Sequence, residues 1–120
     1  MISGVGTDIL ETSRMEKSLQ NPAFFSQAFT LCEREYIEKH PQKSACAAGI
    51  FCAKEACVKA LGCGFSSLRP ENIEIRHTEK GQPFPVFSKD VNGLVFFLSI
   101  SHTKEYAVAF ALCEKGCEDV

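Results

Sequence analysis

The spacing of apolar positions changes near Asn72, from helical recurrence before it to alternation after it. The opening is the exception: residues 2–9 read as a short strand, with Gly4 and Gly6 permitting close backbone approach and Asp8 near its end. Ser13-Arg14-Met15-Glu16 has the form of a capping box and opens a predicted helix that includes Leu19. Asn21 followed by Pro22 starts a second helix, leading into Phe24, Phe25 and Phe29. Thr30 with Glu33 makes another capping box, for a helix that ends before Pro41. The longest helix runs over residues 44–61, is rich in Ala, and stops at Gly62, with Gly62-Cys63-Gly64 as a flexible turn.

Beyond Asn72, Ile73 and Ile75 alternate with polar residues, and Lys80-Gly81 marks a turn into a strand over 83–87. Residues 95–101 and 106–113 form a predicted hairpin around His102-Thr103-Lys104-Glu105. The expected class is α+β: one strand, several helices, then a mainly antiparallel sheet. With 120 residues the chain fits a single domain, 1–120, and its modest core would be supplemented by burying a face against identical copies.

Hydrophobic residues make up 45% and charged residues 23%, as in an ordinary globular protein. No apolar run approaches the ~20 residues that span a bilayer, and the first residues lack a signal peptide's basic region, so a cytoplasmic protein without a membrane partner is expected. Thirteen basic against fifteen acidic residues give a net charge of -2, which argues against nucleic acid as a partner. Seven cysteines, odd in number and irregularly spaced, fit reduced thiols serving as small apolar residues. Cys113 and Cys117 form an isolated pair, without the clustered ligands of a structural zinc site.

Three segments combine acids, cations and hydroxyls. Gly6-Thr7-Asp8 puts a carboxylate where a strand meets a helix, a position that also suits simple capping. In mid-helix, Glu55 and Lys59 share a face, as an ordinary solvated ion pair would. Ser99-Ile100-Ser101-His102-Thr103-Lys104 crowds two hydroxyls, an imidazole and an ammonium near a turn that Ser and Thr stabilise by themselves. Each segment has a bland explanation alone, yet together they suit one purpose. Two carboxylates from distant segments fit a magnesium ion, and Lys59, His102 and Thr103 fit the phosphate oxygens of a diphosphate beside it. Spacing does not name the substrate.

The same segments resemble the holo-acyl-carrier-protein synthase family of phosphopantetheinyl transferases. That family's opening strand corresponds to Gly4-Val5-Gly6-Thr7-Asp8-Ile9, followed by Arg14. Its helix motif Phe-x-Ala-Lys-Glu-Ala-x-x-Lys-Ala is complete at residues 51–60, trailed by Gly62 and Gly64. Glu74-Ile75, Gly81-Gln82-Pro83 and Ser99-Ile100-Ser101-His102-Thr103 with Tyr106-Ala107 match its later segments. The resemblance implies a compact α+β trimer with active sites between subunits. It implies Asp8 and Glu55 as magnesium ligands, with Lys59 contacting the phosphates and helping attack. Gly62, Gly64, Gly81, Pro83, His102 and Thr103 are implied to lie along coenzyme A, and Arg14 to engage an acidic acyl carrier protein. The implied reaction is attack by a carrier serine on the β-phosphate of coenzyme A, releasing adenosine 3',5'-bisphosphate, in the service of fatty acid biosynthesis.

Two departures stand out. Many relatives carry Arg where this chain has Ile50, so coenzyme phosphate would need another cation, such as Lys43 or Lys54. The first-helix region is also poor in cations beyond Arg14 and Lys17, so the carrier is expected to meet more apolar contact through Met15, Phe24 and Phe25. Two competing readings are a small magnesium-dependent diphosphate hydrolase and a non-catalytic module that holds coenzyme A or a carrier protein.

Overall fold

A computed structural model describes residues 1–62 and 67–116. Strand β1 (Ile2–Glu11) is followed by helices α1 (Thr12–Ser18), α2 (Pro22–Ala28), α3 (Leu31–Lys39) and α4 (Lys43–Leu61). A single 3-10 turn, Pro70–Asn72, leads into β2 (Ile73–His77), β3 (Pro83–Phe87), β4 (Leu94–His102) and β5 (Tyr106–Lys115). The α+β expectation holds, with the strands divided between two antiparallel sheets: β1-β5-β4, and a separate β2-β3 pair.

Local chemistry accounts for most boundaries. The Asn21 side chain accepts from Ala23 N–H and Pro22 fills the first position of α2. The Thr30–Glu33 capping box opens α3 in both of its hydrogen bonds. Gly62 closes α4 in the left-handed region at φ 76°, where a side chain would be strained. Cys63 and Gly64, read as part of the same turn, lie outside the described residues, as does Cys117.

Helix α1 departs from expectation. Strand β1 runs on to Glu11, opposite Tyr106, and Glu11 rather than Ser13 is the N-cap, with no side-chain cap at all. The β4–β5 turn satisfies this helix start instead: Thr12 N–H donates to Glu105 O at 2.9 Å and Thr12 Oγ1 donates to Lys104 O at 2.6 Å.

Helix α4 is the axis of the molecule. Ala107, Ala109, Ala111 and Cys113 of the central strand β5 are fully buried in the core cluster that includes much of α4. Their small side chains let helix and sheet approach closely. The approach is closest at β1, where a β-carbon on Gly4 would meet Ala60 O at 2.0 Å and one on Gly6 would meet Ala56 O at 2.1 Å. These two glycines are therefore the condition for β1 to lie on α4. The opposite face of the sheet leaves Val5, Ile9, Val95, Phe97, Val108 and Phe110 exposed. Among the described residues no helix is long and apolar enough to cross a membrane.

Candidate active site

Alternation along β1 decides where its carboxylate goes. Gly6, Asp8 and Leu10 share the face toward α4, while Val5, Thr7 and Ile9 lie outward. On α4, Glu55 and Lys59 lie one turn apart on the side facing β1. Lys59 Nζ donates to Thr7 O at 3.0 Å and pairs with Asp8 Oδ1 at 3.4 Å. The ammonium thus bridges helix to strand instead of closing the expected pair with Glu55. The Glu55 carboxyl is held above the usual carboxylate range, first by burial and then by the Asp8 charge, with Lys59 opposing.

Two carboxylates brought toward each other and sharing one ammonium form a donor set for a hard divalent cation. No cluster of three or more His, Cys, Asp or Glu ligands occurs among the described residues. A cation at this seam would therefore complete its shell from water and phosphate oxygens, which is how magnesium sits beside diphosphates. The residues fit that ion better than zinc or calcium, which draw more ligands from protein. Beneath the seam lies Cys52, whose thiol donates to Ala107 O at 3.7 Å and is pushed up to about 12, by burial first and then by the Asp8 charge. Read from sequence as composition only, Cys52 is a neutral floor to the carboxylates.

A buried ion pair fixes α4 on its other side. Lys54 Nζ donates to Ala28 O at 2.8 Å and to Pro70 O at 2.9 Å, and it pairs with Glu33. Glu33 also accepts from Thr30 N–H at 2.8 Å and Ile75 N–H at 2.7 Å. Burial pushes the Glu33 carboxyl up and the Lys54 ammonium down, and their mutual attraction opposes both shifts. Lys54 is wholly enclosed. This corrects its suggested role as a coenzyme-binding replacement for arginine at Ile50. Lys43, the other cation suggested, is exposed and paired with Glu38 at 3.2 Å.

The remaining candidates gather elsewhere. Gly81, at φ 85° in the β2–β3 turn, and Pro83 line a cavity of about 200 Å3 together with His102 and Ile50. Thr103 and His102 border an adjoining cleft of about 690 Å3 with Lys43 and Lys104. Thr103 Oγ1 accepts from Glu105 N–H and Tyr106 N–H, so it also shapes the β4–β5 turn. Gly62 is exposed at the end of α4, and Gly64 falls outside the described residues. The cavity is lined by the first half of α4, whereas Glu55 and Lys59 lie in its second half; Ala45 and Lys59 are separated by about 21 Å of helical rise. The sequence placed Lys59, His102 and Thr103 at one diphosphate beside Asp8 and Glu55; within one chain, Asp8, Glu55 and Lys59 meet at the β1–α4 seam, while His102 and Thr103 border the cavity and its adjoining cleft.

Arg14 is exposed on α1. Met15, expected to meet a partner, is only 2% exposed and belongs to the core, so it offers no surface. Phe24 and Phe25 are half-buried and pack against Phe29, 6.1 and 5.8 Å between ring centroids. His40 and His77, which line the cavity beside His102, carried no sequence signal. They are far apart in the chain and match no motif.

The model of the 4'-phosphopantetheinyl transferase superfamily matches residues 4–111 of the chain. The chain is 44% identical to the holo-[acyl-carrier-protein] synthase of Alkaliphilus metalliredigens, over 93% of this chain and 98% of the relative. Its fold is similar to a holo-(acyl-carrier-protein) synthase from Bacillus anthracis solved in complex with CoA (3',5'-ADP), with a TM-score of 0.87 at 37% identity, covering 97% and 99% of the two chains. It is similar too to the Helicobacter pylori holo-[acyl-carrier-protein] synthase in complex with coenzyme A, with a TM-score of 0.83 at 30% identity, covering 92% and 99%.

Proposed function

The chain belongs to the 4'-phosphopantetheinyl transferase superfamily, and from that premise we propose that it is a holo-[acyl-carrier-protein] synthase. It transfers the 4'-phosphopantetheine arm of coenzyme A to a serine of apo-acyl carrier protein, with adenosine 3',5'-bisphosphate as the second product. The observation that carries the reading is the β1–α4 seam, where Lys59 bridges Thr7 O and Asp8 beside Glu55. The serine Oγ forms a bond to the β-phosphorus of the coenzyme, and the bond from that phosphorus to the bridging diphosphate oxygen breaks.

Asp8 and Glu55 are the residues that would hold magnesium. Bound there, the ion would neutralise charge on the diphosphate oxygens as the leaving group departs. Lys59 is released from Asp8 to contact the transferred phosphate and orient it for in-line attack. Gly81, Pro83, His102 and Thr103 belong to the nucleotide end of the coenzyme, with Gly62 and Gly64 near it. Arg14, with the exposed edges of Phe24 and Phe25, is the carrier-facing surface. The domain is 1–120, and the enzyme works in the cytoplasm, a setting supported by the free thiols of Cys46, Cys52, Cys57 and Cys113.

The working form is a homotrimer with each site between two chains. Support comes from two features: the apolar outer face of the β1-β5-β4 sheet, and the separation of seam and cavity along α4. A seam from one chain and a cavity from the next would complete the site.

The experiment is a magnesium titration of carrier modification by the native protein and by Asp8→Asn and Glu55→Gln. Each variant should keep its thermal midpoint and lose on the order of 10²-fold or more in rate. Near-native rates in either would remove that carboxylate from the metal site.

A further inference from the structure

Helix α1 is too short to hold itself in place. Its seven residues make about two turns, the N-cap Glu11 offers no side-chain bond to the free N–H groups, and the first turn holds no acid. Contacts with the rest of the molecule therefore set where it points. Met15 enters the core and Leu19 packs against it, which seats the middle and the end of the helix. At the start Thr12 is buried, and Ser13 and Arg14, between Thr12 and Met15, are exposed.

Thr12 is anchored on a different element. Its N–H donates to Glu105 O at 2.9 Å and its Oγ1 donates to Lys104 O at 2.6 Å, both in the turn between β4 and β5. The first bond continues the β1–β5 ladder one residue past the Glu11–Tyr106 pair. One bond alone leaves the chain free to swivel about it; the second, from the side chain, fixes that rotation where strand becomes helix.

The turn stands on bonds of its own. Thr103 N–H donates to Tyr106 O at 2.8 Å, and Thr103 Oγ1 accepts from Tyr106 N–H at 3.1 Å and from Glu105 N–H at 3.3 Å. The dependence is one-sided: the turn closes without α1, whereas the first turn of α1 is held by it. Thr12 and Glu16 also form the α1 wall of the cleft of about 690 Å3 that His102 and Thr103 border. One short helix thus borders that cleft and, two residues after Thr12, carries the exposed guanidinium of Arg14.

We propose that Thr12 is a positioning residue for transfer: its hydroxyl, through Lys104 O, sets Arg14 and the carrier docked there against the turn that bears His102 and Thr103. The inference rests on the reading of Arg14 as carrier-facing. It goes beyond that reading by assigning the carrier's placement to a residue outside the carrier surface. The link runs within one chain, so it acts whichever neighbour completes the site. Arg14 follows Thr12 so closely that freeing the first turn displaces its side chain, and lost orientation weakens both docking and alignment of the attacking serine.

Thr12→Val keeps the shape and the N–H bond and removes only the hydroxyl. Lys104 is exposed, so water takes the freed carbonyl and the thermal midpoint should change little. Carrier KM, kcat and the calorimetric affinity for coenzyme A are measured for the native protein, Thr12→Val, Thr12→Ser, Arg14→Ala and the Thr12→Val, Arg14→Ala pair. Thr12→Ala repeats the test without a branched side chain. Valine should raise the carrier KM about fivefold and lower kcat, with coenzyme A affinity within about twofold of native. Serine, which keeps the donor, should restore the native KM. Arg14→Ala should weaken the carrier less on the valine background than alone, because the guanidinium is already displaced. Strict additivity of the pair, or serine and valine behaving alike, overturns the assignment and leaves the Arg14 reading in place. Coenzyme A affinity that falls in step with the carrier KM overturns it too, since the turn itself would then depend on Thr12. A native carrier KM in Arg14→Ala overturns the carrier reading, and the assignment with it.

Discussion

Lys54 Nζ stands 2.5 Å from Glu33 Oε1, and solvent reaches neither side chain. The pair ties α4 to the start of α3, while the backbone carbonyls of Ala28 and Pro70 hold the same ammonium. Lys54 precedes Glu55 directly, so this anchor sets the rotation of α4 that turns Glu55 toward β1. Lys54→Met leaves the Glu33 carboxylate buried and unpaired, and urea denaturation should show a loss of about 3–5 kcal/mol. The double variant with Glu33→Gln should recover most of that loss, because no lone charge remains. A single variant of native stability would contradict the burial of this pair.

The second contact that positions the site is between Gly6 and Ala56. Gly6→Ala places a methyl group 2.1 Å from Ala56 O in the present backbone, so strand and helix must part. Overpacking of this kind costs about 1–3 kcal/mol. Transfer should suffer more than stability, since Asp8 lies two residues along the same strand and a misplacement near 1 Å can cost about 10²-fold. Thermal melts beside initial rates of holo-carrier formation measure the two effects. A variant with both unchanged would show that the close approach of β1 to α4 does not set the geometry.

The exposed sheet face leads to a prediction about assembly. Phe110, 44% exposed at the centre of β5, lies opposite Thr7 and Ser99 in the register and beside Val108 and Phe97 on the outer surface. Phe110→Glu should convert a trimer to monomers by sedimentation equilibrium, and the monomers should lose transfer while keeping their fold. A native protein that sediments as a monomer would remove the inter-subunit site.

Elements governed by neighbouring residues were legible in the sequence. Asn21-Pro22, Thr30 with Glu33, Gly62 and the turn before Pro83 act within a few positions, and each boundary follows from its own hydrogen bonds or φ value. The motif residues Asp8, Glu55 and Lys59 also came together across the β1–α4 seam. Features set by contacts between distant segments were not legible. Ser13 has the form of a cap, yet the hydrogen bond from Thr12 to the Lys104 carbonyl takes that duty, 92 residues away in the chain. Lys54 reads as a surface cation until Glu33 and two carbonyls enclose it, and Met15 reads as partner surface until it enters the core. The convergence of His40, His77 and His102 likewise depends on three elements meeting.

The most direct test of the central claim is the intact mass of an apo-acyl carrier protein after incubation with this protein, coenzyme A and magnesium, beside a chelator control. A gain equal to one phosphopantetheine, with stoichiometric adenosine 3',5'-bisphosphate and no gain under chelation, is the predicted result. An unmodified carrier, from a folded sample that still binds coenzyme A and with several carriers tried, would contradict it and leave a binding module without turnover.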